Sequence, residues 1–533
     1  MADTLEVVIL LVIAAIALGI AARRLRVPYP IALTLGGVAL GFVPGLPPVR
    51  LDPDIVFVVF LPPILYRTAL YMPWHSFSDN LRAIGRLAVG LVIFTTAAVA
   101  IVVKLLVPDM PWAAAFLLGA IVSPPDAVAA TAILHRLNLP RRLATVIEGE
   151  SLLNDGTAII LYKFALAALI TGTFSVGQAF LQFLLVAGGG VAVGLAVGWS
   201  SLWVQRQLHD SLLETLLLMT APFATFWLAD EISVSGVFAV VVLGLWRAWV
   251  SPTVISAATR QRGLAMWDAV VFLLNSLIFI LIGLQLPPII HALTAFSWGE
   301  LIASAAAITV AAMLARAVWM FGAAGLARSI GVLTRSTAPT QSWRASALIA
   351  FVGLRGIVSL AAAMALPLRL PDGSPLPERP LILFLTFALI VATLVGQGLS
   401  LPFVLKWLGF RIQVGDLGKD EELARVKMAY AAVGEIDRLA ENMALPKRVT
   451  ESVRSEFAEP LAELEKKGDS GTPVNSASVN EKRRTLRQAA IQAARRRLIK
   501  LHRDRDINDE TAQTLMRELD FDELRVSQSD QLE

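Results

Sequence analysis

The stretch EGESLLNDGTAIILYKF, opening at Glu148, sets Glu148, Glu150, Asn154 and Asp155 within about two turns of a segment that is apolar enough for lipid from Leu152 onward. An ionisable group at the centre of a membrane helix costs about 2.5–3.5 kcal/mol even on insertion scales, so it marks a function by default. Two more segments carry charge at a similar depth: GAIVSPPDAVAA holds Asp126 and FVGLRGIVSL holds Arg355. Three charged segments at one depth make a site. Structural ion pairs are the alternative, but three carboxylates and one arginine do not balance. On a helix, Ser151 and Asp155 are four apart and share a face, whereas Glu150 and Asn154 share a face turned about 100° away. The first face offers oxygens to a hard cation. The second holds a carboxylate that an amide can orient. A buried carboxylate holds its proton tightly and a bound cation drives that proton off. Proton and metal cation therefore compete for one group, which is the chemistry of exchange.

Irregular backbone must position these groups. Pro124 and Pro125 each remove an N–H and clash with the preceding turn, freeing carbonyls just before Asp126. Gly353 and Gly356 bracket Arg355. Non-helical backbone at mid-membrane is tolerated only inside protein or beside water. Apolar runs of sufficient length predict about thirteen spans, roughly at 5–22, 30–46, 54–70, 83–107, 112–135, 144–170, 177–203, 211–229, 234–250, 266–290, 300–326, 343–368 and 380–408. The broken segments are then spans 5 and 12, which hold the same rank if spans 1–6 and 8–13 are inverted repeats. Broken helices at matching ranks point to the midplane site of a secondary transporter.

Composition agrees with a polytopic membrane protein: 56% of the 533 residues are hydrophobic and 17% charged, with mean hydropathy +0.66. A net charge of +4 gives no argument for nucleic acid, and zero cysteines exclude disulfides and thiol chemistry. His75, His135, His209, His291 and His502 lie at segment ends or in the tail without metal-ligand spacing, so neither a structural nor a catalytic metal is expected. No GxxxxGK[ST] occurs, which speaks against direct ATP hydrolysis. Residues 1–410 hold 18 of the 42 Asp/Glu and 24 of the 46 Lys/Arg, dividing a transmembrane domain (1–410) from a charged tail (411–533). Alternate loops are basic, among them those with Arg23/Arg24, Arg82/Arg86, Arg141/Arg142 and Arg260/Arg262. The intervening loops carry Asp52/Asp54, Asp109, Asp230/Glu231 and Glu300, with Arg50, Arg369 and Arg379 as exceptions on that side. Basic loops face the cytoplasm, so the N-terminus is expected outside and the tail inside a cell (inner) membrane.

FLPPILY (Phe60–Tyr66), SPPDAVA (Ser123–Ala129), EGESLLNDG (Glu148–Gly156), SVSGVFAVVVLGL (Ser233–Leu245), NSLIFILIGL (Asn275–Leu284) and GLRGIVSLA (Gly353–Ala361) resemble, in order, the signatures of the bacterial sodium/proton exchangers of cation/proton antiporter family 1. The resemblance covers nearly all of residues 1–410. It implies an all-α membrane fold of thirteen helices in inverted six-helix repeats, with two crossed discontinuous helices, and a homodimer. It implies electroneutral exchange of sodium or lithium for protons, with no cofactor besides the transported ions. Asp155 would hold cation or proton in turn, with Asp126, the Ser151 hydroxyl and Pro125 beside it. Glu150 would pair with Arg355, oriented by Asn154. Asn154 stands where the electrogenic relatives have a second aspartate, which implies one cation for one proton. Relatives often carry threonine at Pro125 and an acidic residue at Arg67, so coordination here departs from the pattern if the threonine hydroxyl is used.

Glu148 is expected at the mouth of a cytoplasmic funnel. Arg316, alone in its span, is expected to meet a helix end or a carbonyl. Gly190, Gly194 and Gly198, four apart, predict close helix packing. A potassium/proton antiporter is the near alternative, because oxygen ligands alone do not set ion size. Asp126 and Asp155 on successive spans also raise an intramembrane aspartyl protease, but its GxGD motif is absent and Arg355 would have no role. A cation channel would carry current without proton counterflow, and paired broken helices argue against it. In the tail, helices are predicted over 411–466, then a linker GDSGTPVNSASVN, then helix–turn–helix, together a regulatory domain packed on the membrane domain or a symmetry mate.

Overall fold

The computed structural model describes residues 2–25, 27–44, 55–126, 141–208, 210–254, 257–291, 293, 297–334, 342–370, 374–409, 417–443, 447–462 and 477–528. Among the described residues the chain is helical, apart from one isolated antiparallel bridge between Arg369 and Pro375. The helices are α1 (Ala2–Leu25), α2 (Tyr29–Gly41), α3 (Val56–Leu70), α4 (Trp74–Leu106), α5 (Trp112–Val122), α6 (Arg141–Thr171), α7 (Val176–Gln207), α8 (Ser211–Glu231), α9 (Gly236–Val254) and α10 (Ala257–Leu284). There follow α11 (Leu286–His291), α12 (Trp298–Thr334), α13 (Trp343–Phe351), α14 (Ile357–Met364), α15 (Arg379–Trp407), α16 (Leu417–Asn442), α17 (Lys447–Ala462), α18 (Ala477–Arg503) and α19 (Asp509–Gln528). Among the described residues, seven helical stretches are long and apolar enough to cross a membrane, including Trp74–Leu106, Arg142–Thr171 and Arg379–Trp407. The second half of the expected span 5, the loop bearing Asp52 and Asp54, and most of the expected tail linker lie outside the described residues.

Local chemistry explains the irregular turns. The first five residues of α3, Val56–Phe60, are wound as a π-helix just before Pro62 and Pro63. A proline ring clashes with the carbonyl one turn back, and a wider turn relieves that clash. Small residues set how closely helices approach. A Cβ on Gly190 or Gly194 would run into the backbone oxygens of Ser235 and Ala239, and one on Gly198 into the Trp246 ring, so α7 lies directly on α9 as the glycine spacing predicted. Gly37 and Gly283 do the same where α2 packs on α10.

A large apolar cluster joins the helices before residue 410, with Tyr66, Phe279 and Leu389 each at 0% exposure. A separate cluster, built from residues such as Ile436, Val453, Leu486, Leu498 and Leu515, closes the four tail helices on one another. The tail touches the membrane helices at the start of α4, where Arg505 pairs with Asp79 at 2.9 Å.

Candidate functional site

The site is built where α5 ends and where α13 and α14 are separated by irregular backbone. α5 is apolar up to Val122, and Ser123–Asp126 then leave helical geometry because Pro124 and Pro125 cannot continue the ladder. α13 ends at Phe351, Val352–Gly356 are non-helical, and α14 begins at Ile357. The two breaks are stitched together: the Asp126 amide donates to the Leu354 carbonyl at 2.7 Å. Gly356 makes that approach possible, since a Cβ there would collide with the Asp126 carboxylate.

Asp126, Ser151 and Asp155 line one cavity of about 30 Å³, walled by Ile64 and Thr68 of α3 and Ile357 of α14. A water-sized particle needs roughly 10–15 Å³ of such space, so the cavity suits one small ion with little more than its immediate oxygen shell. Ser151 and Asp155 are 3% and 7% exposed. Their shared helical face is the one the four-residue spacing predicts. The Asn154 side chain, on the other face and fully buried, donates from Nδ2 to the Pro125 carbonyl at 3.0 Å. It therefore steadies the broken segment that carries Asp126.

The expected ion pair is corrected. Glu150 pairs with Arg316, not with Arg355, and Asn154 orients Pro125 rather than Glu150. Arg316 grips both carboxylate oxygens, Nη2 to Oε2 at 2.7 Å and Nη1 to Oε1, while its Nε donates to Ile349 O at 2.8 Å. The carbonyl contact at the end of α13 is the one expected of Arg316; the carboxylate contact is not. Arg355 serves the end of α5. Its Nε donates to Val122 O at 3.0 Å, Nη2 to Ser123 O at 3.4 Å and Nη1 to Gly353 O, and its amide donates to Thr393 Oγ1 at 3.1 Å. The physical reason is the break in the helix: the Asp126 amide that would serve the Val122 carbonyl donates to Leu354 instead, and a guanidinium with five donors satisfies several stranded carbonyls at once. Arg316, in the apolar part of α12, was the available signal, because a buried guanidinium needs an anion or several carbonyls.

Two other residues fall into place. Glu148 is half-buried on α6, within electrostatic reach of Arg67. Arg67, the departure with no sequence-level explanation, pairs with Asp268 of α10, Nη2 to Oδ1 at 2.7 Å. Arg67 thus has its partner on another helix.

Asp126, Ser151 and Asp155 thus line a small cavity among long apolar helices of the kind that cross a membrane. The family model for the sodium/hydrogen exchanger transmembrane region matches residues 8–407. An uncharacterised Na+/H+ exchanger of Mycobacterium tuberculosis is 32% identical over 525 residues, spanning 98% of this chain and 96% of that protein. The sodium, potassium, lithium and rubidium/H+ antiporter of Bacillus subtilis is 31% identical over 516 residues, 94% of this chain and 74% of that protein. The structure of the sodium/proton antiporter of Methanocaldococcus jannaschii superposes with a TM-score of 0.60 at 19% identity, covering 76% of this chain and 99% of that one. The chain belongs to the sodium/hydrogen exchanger family.

Proposed function

We propose that the protein exchanges one sodium or lithium ion for one proton by alternating access, with Asp155 as the group that holds ion and proton in turn. The observation that carries this reading is the shared cavity of Asp126, Ser151 and Asp155. Asp155 and Asp126 supply carboxylate oxygens and Ser151 a hydroxyl, all hard ligands. The Pro125 carbonyl is the remaining oxygen at this point, held in place by Asn154. Counting Arg316 changes the charge balance: Asp126, Glu150 and Asp155 face Arg316 and Arg355, leaving one negative charge. One monovalent cation or one proton neutralises that remainder, which supports electroneutral exchange.

The architecture belongs to the same proposal. The helices before residue 410 group as thirteen spans in inverted repeats, with the interrupted segments at 123–126 and 352–356 crossing at the site. The N-terminus faces outward and the tail the cytoplasm of the cell membrane, with Glu148 at the inner funnel. The broad apolar surface of α7, where Phe180, Leu185, Trp199 and Trp203 are 60–66% exposed, suits lipid and a second copy in a homodimer. Residues 411–533 act as a regulatory domain. Potassium is the second reading, supported by the substrates named for the Bacillus subtilis relative.

The test is proton flux in proteoliposomes loaded with a pH dye, under imposed sodium, lithium or potassium gradients. Sodium- and lithium-driven alkalinisation well above the potassium rate is expected. Equal potassium rates move the assignment to the second reading, and no cation-dependent flux removes the exchange proposal.

A further inference from the structure

We infer that the chain carries a divalent transition-metal site, of zinc type, where the tail docks on the membrane helices: His75, His502 and Asp509. No sequence motif announces it, since His75 and His502 stand 427 positions apart. The expectation of no metal was drawn from local spacing, which does not register residues this far apart. His75 lies in the first turn of α4, His502 in the last turn of α18, and Asp509 begins α19.

The three facing atoms form a nearly equilateral triangle. His75 Nδ1 lies 3.1 Å from His502 Nε2 and 3.4 Å from Asp509 Oδ1, and His502 Nε2 lies 2.8 Å from Asp509 Oδ1. A tetrahedral ion bonded at about 2.0–2.1 Å spaces its ligand atoms about 3.3 Å apart, which is this arrangement. Hydrogen bonds alone fit it poorly. With the carboxylate ionised and both facing nitrogens protonated, two N–H groups oppose each other. With either nitrogen bare, its lone pair opposes the carboxylate. No placement of imidazole protons satisfies all three contacts, whereas a cation at the centre accepts all three lone pairs. Two imidazoles and one carboxylate suit zinc and its first-row neighbours better than sodium, magnesium or calcium.

The surroundings are those of a built site. The second oxygen of Asp509 accepts from Ser76 Oγ at 2.8 Å and from the Ser76 amide at 3.2 Å, which turns Oδ1 toward the histidines. The turn between α18 and α19 is held by Arg505, whose left-handed φ of 63° is unusual for a non-glycine residue. Its side chain anchors the turn through Asp79. Asn508 caps α19 by accepting from the Thr511 amide at 2.8 Å. A cavity of about 230 Å³, bordered by Trp74, Trp249 and Met516, opens onto the three ligands. It leaves the fourth position to water or a small anion. The metal would tie tail to membrane domain, since one ligand comes from α4 and two from the tail.

The experiment uses the full chain, purified without a polyhistidine tag, stripped with chelator and titrated with Zn2+ against a chromophoric competitor. One tight Zn2+ per chain is expected. Ser76→Ala should weaken binding about 10-fold, and His75→Ala or His502→Ala by more than the ~100-fold upper range for an outer partner. Co2+ loading of the unaltered protein should give the intense visible absorption of a tetrahedral ion, displaced by one equivalent of Zn2+. That measurement stands even if a variant misfolds. Unchanged Zn2+ affinity in folded His75→Ala and His502→Ala, or a Co2+ spectrum with no tetrahedral absorption, overturns the site.

Discussion

Asp155 and Glu150 are five residues apart on α6, on different faces, and have opposite tasks. Asp155 opens onto the cavity and is the group proposed to hold ion and proton in turn. Glu150 is locked in a two-pronged grip by Arg316. Asp155→Asn keeps the shape and removes the titratable charge, so cation-driven proton flux should fall to that of empty liposomes while the elution volume in detergent stays put. Substantial exchange by the purified variant would reject the assignment. Glu150→Gln or Arg316→Ala should act on stability, because each leaves an uncompensated buried charge worth about 3–5 kcal/mol. Thermal unfolding in detergent should show both melting well below Asp155→Asn. A stable Arg316→Ala would remove the pair from its structural role.

The site also depends on two helices that stop where they should. The prolines end α5, Arg355 serves the carbonyls stranded there, and Gly356 lets the second break come against Asp126. Gly353 differs: a Cβ there meets the movable ends of Arg355 and Arg316. Gly356→Ala should therefore abolish or strongly reduce exchange by displacing the Asp126 carboxylate, while far-ultraviolet circular dichroism stays that of the unaltered protein. Wild-type flux in Gly356→Ala would show that the close approach is not needed.

Across the molecule, the ligands proposed for transport all precede residue 410, and the tail closes its own apolar cluster. A chain ending at Val414 should still exchange cations, with altered rate or pH dependence. A truncated protein that inserts and folds yet is inactive would make the tail part of the transport machine. The single uncompensated negative charge at the site predicts that imposing a membrane potential with potassium and valinomycin leaves the sodium/proton rate unchanged. A clear voltage dependence would exclude one-for-one exchange.

The amino-acid order by itself determined where most helices lie, where two of them give way to irregular backbone, and that Asp126, Ser151 and Asp155 line one cavity. These are local matters. Lipid leaves few ways to carry Asp126 or Asp155, proline removes an N–H wherever it stands, and four-residue spacing puts Ser151 beside Asp155. Partner choice was decided only by tertiary structure. Arg316 and Arg355 were both visible as buried cations, yet which one reaches Glu150 depends on how α12 and α13 cross α6, a geometry that depth along a span does not encode. Arg355 was drawn away by carbonyls stranded where α5 ends. Asp268 answered Arg67 from 201 positions away, and His75 met His502 only when the tail folded back onto α4. Short-range periodicity is written in the chain, whereas contacts between distant helices follow from packing, and packing exists only in three dimensions.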